Sequence, residues 1–373
     1  MKSNPIISIL MPVRNDAAML RNCLADIDNQ SLTDYELVVV DDGSTDQTPV
    51  LLEKASQDDS RIRLIRTKPQ GIVSALNTGL TECKGQYIAR MDVDDRMQKT
   101  RLEKQLELMQ KDPELELIGC RVEGFTDKGP LPESAVHYQS WSNSLISHQQ
   151  IESDLFAESP IVHPTFFATQ KLFNKIGGYS NNPWAEDYDF ILRAYGGGAK
   201  LSKHPEILVR KYFAPGRLSR VEAMYKRPAM FDAKTHYLLE FGRLKKRRGV
   251  LIVGSGPTGR QAAQSFENRE VRLLGFVDNR SGPPDRQVKL LALSHSSQHA
   301  GIPQKSDYRL LRAFLRDPSH DQLSPPSPVI DCHLKMRRAE YFFRDAEKVV
   351  PLALSRHCAV GIHLRLWLCP WIY

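Results

Sequence analysis

From Ile6 to Met109, short apolar runs alternate with stretches of helical periodicity. Residues 6–13 are an apolar run closed by the polar loop Arg14-Asn15-Asp16, as a buried strand is, and Leu20, Cys23, Leu24 and Ile27 then recur at helical spacing. Residues 35–40 are a second apolar run, closed by Asp41-Asp42-Gly43-Ser44. Thr48 before Pro49 predicts a capping hydroxyl and a proline at the first helical position, with Leu51, Leu52 and Ala55 behind them. Residues 61–66 predict a third strand and Val73, Leu76 and Leu80 a helix face. Residues 87–91 predict a fourth strand, and Leu102, Leu106 and Met109 another helix face. Strands alternating with helices imply an α/β fold with a mostly parallel sheet covered on both sides. Ligands of such sheets sit beyond the carboxyl ends of the strands, and two of these strands end in aspartates.

Periodicity weakens afterwards. Residues 124–160 are polar and read as an irregular stretch over the site. Pattern returns at residues 160–168 and 188–195, and residues 222–243 read as a helix. The basic run 244–248 reads as a linker between domains, and such a run also suits anionic lipid. A second, smaller α/β unit opens at Gly249. After residue 280 the alternation fades, and six of the eleven histidines and three of the six cysteines fall there. This divides the chain into a domain at 1–243, a linker at 244–248, a partial βαβ module at 249–280 and an irregular region at 281–373. The abrupt change of composition is what a shifted reading frame would produce.

The acidic run Asp92-Val93-Asp94-Asp95 follows the fourth strand. Three carboxylates in four residues repel one another, and a cation relieves that cost. Alternate strand residues share a face, so Asp92 and Asp94 project the same way. Hard oxygen ligands suit Mg²⁺ or Mn²⁺, which share substrate phosphates and stabilise a departing diphosphate. An isolated run of this kind also occurs as a solvent-facing acidic turn. Asp42, at the end of the second strand, suits the imide of a pyrimidine base or a ribose hydroxyl, or a plain turn with capping residues. Glu186-Asp187-Tyr188-Asp189 opens an apolar helix. These acids complement the helix dipole, or Asp187 serves as the general base that an acceptor hydroxyl needs.

Taken in order, Ile7-Ser8-Ile9-Leu10-Met11-Pro12-Val13-Arg14-Asn15, Asp41-Asp42-Gly43-Ser44-Thr45-Asp46, Asp92-Val93-Asp94-Asp95, Gly177-Gly178-Tyr179 and Glu186-Asp187-Tyr188-Asp189 resemble the family two inverting glycosyltransferases, over residues 5–220. The resemblance implies a GT-A fold that binds a nucleotide-sugar. Pro12, Asp42 and Asp92 would line the nucleotide, with Arg14 beside them, Asp94 would hold the metal and Asp187 would be the base. His163, within Ser159-Pro160-Ile161-Val162-His163-Pro164, and Glu186 become candidate acceptor or phosphate contacts. Many members carry a histidine near residues 212–216. This chain has none there, and Arg217 or Lys211 is the candidate substitute at the phosphates. The implied reaction is metal-dependent transfer to a hydroxyl of a glycan or lipid-linked glycan, in envelope or surface polysaccharide synthesis.

In the second unit, Gly254, Gly256 and Gly259 lie between a strand and a helix, with Asp278 nineteen residues past Gly259. That spacing matches the dinucleotide-binding fingerprint, so an NAD-type ligand is expected. The segment resembles Rossmann-like modules appended to some sugar-modifying enzymes.

Other classes fit less well. A sugar nucleotidylyltransferase needs a glycine-rich loop after the first strand, where this chain has Pro12-Val13-Arg14-Asn15-Asp16. A non-catalytic nucleotide-sugar-binding or scaffold protein is the alternative of another class. The net charge of +7 comes without basic and aromatic interleaving, so no nucleic-acid partner is expected. The cysteines show no C-x-x-C pair, and there is neither a leader-like apolar segment nor an apolar run of spanning length. A cytoplasmic protein, at most peripheral on the inner membrane face, is expected.

Overall fold

The computed structural model describes residues 4–127, 129–213, 222–241, 244, 249–278, 288–291, 330–332 and 350–353. They fall into two compact units, residues 4–241 and 244–353.

The first unit alternates as its periodicity requires. β1 (Ile7–Val13), α1 (Ala17–Asp28), β2 (Tyr35–Asp42), α2 (Thr48–Asp58), β3 (Ile62–Thr67), α3 (Ile72–Glu82) and β4 (Tyr87–Arg90) come first. They are followed by β5 (Arg96–Met97), α4 (Arg101–Lys111), β6 (Leu115–Phe125), α5 (Glu133–Ser144), α6 (His148–Asp154), β7 (Phe167–Thr169), α7 (Gln170–Ile176), α8 (Glu186–Gly196), β8 (Lys200–Tyr212) and α9 (Arg227–Glu240). One sheet runs β3-β2-β1-β4-β7-β6-β8-β5. β3, β2, β1 and β4 pair in parallel, as do β6 and β8. β7 is antiparallel to both of its neighbours, and β5 is antiparallel to β8. β1 and β2 are buried along their whole length, which explains their unbroken apolar runs. The core packs Ile9, Met11, Leu37 and Val39 against Leu20, Leu52 and Leu102.

Two local expectations change. Residues 124–160 are not irregular: they finish β6 and form α5 and α6. α5 buries only Ala135 and Ser142, so it carries almost no apolar stripe. α6 is held by a capping box between Ser147 and Gln150, a device independent of periodicity. Thr48 does not cap α2. It is the first helical residue, its N–H donates to Asp46 Oδ1 at 2.9 Å, and its hydroxyl accepts from the Asp16 amide at 3.0 Å. The hydroxyl thus ties the loop after β1 to the loop after β2.

In the second unit, β9 (Val250–Val253), α10 (Pro257–Glu267) and β10 (Leu273–Asp278) form a parallel βαβ. β11 (Val288–Leu291), β12 (Ile330–Cys332) and β13 (Val350–Ala353) complete a sheet ordered β12-β11-β10-β9-β13. The rest of the region beyond residue 280, with its compositional break, lies outside the described residues.

Candidate active site

Strand ends of the first sheet assemble the site. Pro12 is buried near the end of β1, and Arg14 is exposed just beyond it. The loops after β1 and β2 are laced together. Asn15, at φ +55°, donates its N–H to Ser44 Oγ at 2.9 Å and accepts the Thr45 N–H at 2.8 Å. Asp42 is buried, and its two oxygens accept the Gln70 and Gly71 amides at 2.8 Å each. It therefore holds the entry to α3. Oδ1 also accepts the Thr67 hydroxyl at 3.3 Å, so Oδ2 is the oxygen with a second lone pair for a ligand donor.

The acidic run turns at the end of β4. One oxygen from each of Asp92, Asp94 and Asp95 lies within 4.8 Å of the others. Asp92 and Asp94 are half-buried and Asp95 is fully buried. This all-oxygen set fits a hard divalent cation such as Mg²⁺ or Mn²⁺. The three are not equivalent. Asp92 is ion-paired with the buried Arg90. Asp95 Oδ1 accepts the Tyr212 amide at 2.7 Å, binding the turn to the end of β8. Beneath the turn, the fully buried Arg101 donates to the Arg90 carbonyl at 2.8 Å and to Gln105 Oε1 at 2.9 Å.

Asp187 stands half-buried in the first turn of α8. Burial pushes its carboxyl above the ordinary aspartate value, against the pull of Lys211 and Arg90. The same buried guanidinium acts electrostatically on Asp187, Glu186 and His163. Glu186 is 3% exposed and accepts the Tyr225 hydroxyl at 2.6 Å. His163 is buried, with Nε2 2.8 Å from the Tyr179 hydroxyl and Nδ1 3.6 Å from Glu186 Oε1. Burial holds its imidazole well below the usual pKa, hence neutral.

Gly177 and Gly178 both have positive φ, +81° and +72°. That sharp turn lets the Tyr179 backbone pair with Asn77, whose Oδ1 accepts the Tyr179 N–H at 2.9 Å and whose Nδ2 donates to the Tyr179 carbonyl at 2.8 Å. Asp189 is fully buried behind Asp187. Its Oδ1 accepts from Asn182, Trp184 and Tyr237 at 2.8, 2.6 and 2.6 Å, and its Oδ2 from Arg193 at 2.7 Å.

The sequence reading missed Arg90, Arg101, Tyr225 and the hub role of Asp189. The available signals were an arginine closing an otherwise apolar strand and the Asp189–Arg193 pair one helical turn apart. Arg217 lies outside the described residues. In the second unit Gly254 has φ +102°, Gly256 precedes α10 and Gly259 is buried within it; the Asp278 side chain is outside the description.

A family model described as glycosyl transferase family 2 matches residues 8–177. An uncharacterized glycosyltransferase of Haemophilus influenzae is 30% identical over 254 residues, covering 65% of this chain and 77% of that protein. A chondroitin synthase of Escherichia coli is 28% identical over 194 residues, 52% of this chain but only 27% of that longer protein. Among solved structures, residues 1–349 of S. aureus TarS in complex with UDP-GlcNAc superpose with a TM-score of 0.52 at 18% identity, covering 71% of this chain and 72% of that one. At that identity the likeness speaks for the fold.

Proposed function

This chain belongs to glycosyl transferase family 2 and is a glycosyltransferase, and from that premise we propose an inverting, metal-dependent transfer of a sugar from a nucleotide-sugar to a hydroxyl acceptor in glycan synthesis. The observation that carries the proposal is the grouping of the Asp92, Asp94 and Asp95 oxygens at the end of β4. A divalent cation held by Asp94 would neutralise charge on the leaving diphosphate. Pro12, Arg14, Asp42 and Asp92 would receive the nucleotide, with Lys211 and Arg217 toward its phosphates.

Asp187 would take the proton of the acceptor hydroxyl as the acceptor oxygen bonds to the anomeric carbon. The bond from that carbon to the diphosphate oxygen breaks, and the nucleoside diphosphate leaves with the electron pair. A single displacement inverts the anomeric configuration. A carboxyl raised by burial is the stronger base, provided it stays ionised. Arg90 and Lys211 supply the field that keeps it so.

The test is D187N assayed for donor-dependent transfer, with the anomeric configuration of the product read by NMR. Loss of about 10² or more in kcat is expected, with inversion in the wild-type product. Normal turnover in D187N, or retention, would refute the base assignment.

The βαβ turn at Gly254 and Gly256 supports a dinucleotide ligand for the second unit. NAD-dependent stabilisation of the chain, lost on substitution of Gly256, would test it. The basic run 245–248, outside the described residues, supports peripheral contact with an anionic membrane. Among the described residues no helix is long and apolar enough to cross one.

A further inference from the structure

Glu186 directly precedes the proposed base, yet at 3% exposure it is sealed from any ligand. A buried carboxylate is costly unless its oxygens are satisfied. Here each oxygen faces a different element. Oε2 accepts the hydroxyl of Tyr225, on the 3₁₀ turn Ala223–Tyr225. Oε1 faces His163 Nδ1, on the 3₁₀ turn His163–Thr165.

The histidine is itself oriented. Its Nε2 lies 2.8 Å from the Tyr179 hydroxyl, and its buried ring is neutral. Asn77 on α3 fixes the Tyr179 backbone from both sides. A row of polar neighbours therefore runs Asn77, Tyr179, His163, Glu186, Tyr225, its His163–Glu186 step at 3.6 Å a close approach rather than a hydrogen bond. It links α3 to the segment leading into α9 and passes through the residue beside Asp187.

We propose that Glu186 is a positioning residue: held by the Tyr225 hydroxyl, with His163 alongside, it fixes the first turn of α8 and with it the Asp187 carboxylate, and it touches no substrate. This rests on Asp187 being the base. The groups around the pair are Arg90 on β4, His163, Tyr179 and Tyr225, with Lys211 on β8, Glu158 and Tyr138 around Asp187. Burial and the neighbouring Asp187 push Glu186 up to about 7.

The experiment compares wild type, E186Q, Y225F and the double variant, with D187N alongside. The E186Q side chain is isosteric, and Y225F deletes one hydroxyl, so a fold-preserving variant is available on each side of the contact. Donor-induced thermal shifts should be unchanged in all four. Each single variant should lower kcat about ten- to a hundredfold, because a slightly misplaced base loses alignment. The double variant should be no slower than the worse single, because E186Q removes the charge from the same contact that Y225F deletes. The loss should fall on kcat, with the acceptor KM unchanged. Additive losses, or a raised acceptor KM with intact kcat, would each overturn the proposal. D187N turning over normally refutes the base assignment and this proposal together. An inactive D187N with additive E186Q and Y225F losses refutes this proposal alone.

Discussion

Asp189 offers the sharpest test of how the site is held. Its fully buried carboxylate collects four side-chain donors from three places: Asn182 and Trp184 before α8, Arg193 one turn along it, and Tyr237 on α9. Arg193 also donates to the Ile176 and Gly178 carbonyls at 2.8 Å each, so the glycine turn hangs on the same hub. Asp189→Ala removes the anionic partner of a guanidinium whose side chain is only 15% exposed. Breaking a buried pair from one side costs about 3–5 kcal/mol. Three neutral donors also lose their acceptor, at about 1 kcal/mol or more each where water does not reach them. A total of about 6–8 kcal/mol is more than half the stability of an ordinary domain. For a unit of this length each kcal/mol lowers Tm by about 2–4 °C, so a fall of about 12–30 °C is expected in a melt followed by circular dichroism. Asp189→Asn keeps an acceptor for Trp184 and Tyr237 but loses the charge facing Arg193, and it should fall between the two. A drop of less than about 2 °C for the alanine variant would show that the hub is not what holds α8 and would refute the reasoning.

Two further perturbations follow from single contacts. Lys203 is buried with its amine on the Ser142 carbonyl, the Ser142 hydroxyl and the Pro160 carbonyl, and burial lowers its pKa to about 7 from 10.5. Between those values the unfolded chain holds a proton that the folded chain has released, so stability rises with pH across that window; denaturation curves from pH 7 to 10 should favour wild type over Lys203→Met progressively, and parallel curves would contradict this. A Cβ at Gly85 would lie 2.4 Å from the Ser8 backbone nitrogen, so Gly85→Ala should cost about 1–3 kcal/mol in denaturant titration, and an unchanged midpoint would contradict the close approach.

The first half of the fold was legible because β1 to β4 pair in parallel with helices between them and β1, β2 and β4 are largely buried, and burial writes itself as apolar periodicity. β6, α5, α6 and β8 were harder. α5 presents little apolar surface, α6 depends on a cap, and β8 runs Lys200–Tyr212 with residues such as Lys203, His204 and Glu206 interrupting its apolar positions. In the site, the carboxylates were legible because charges at strand ends are conspicuous. Their partners were not, since Arg90, Tyr225 and Asp189 act through contacts distant in sequence. Asp92 and Asp95 also look alike in sequence, while in the fold one faces Arg90 and the other the Tyr212 amide.

The most direct measurement is a thermal-shift screen of nucleotide-sugars with and without Mn²⁺, on wild type and Asp94→Asn. A donor at a hundred times its Kd stabilises by about 2.7 kcal/mol, or about 5–10 °C for a unit of this size. The account predicts that one donor class gives such a shift only with Mn²⁺, and that Asp94→Asn abolishes the metal-dependent part. No metal-dependent shift with any donor, or an undiminished one in Asp94→Asn, would contradict it.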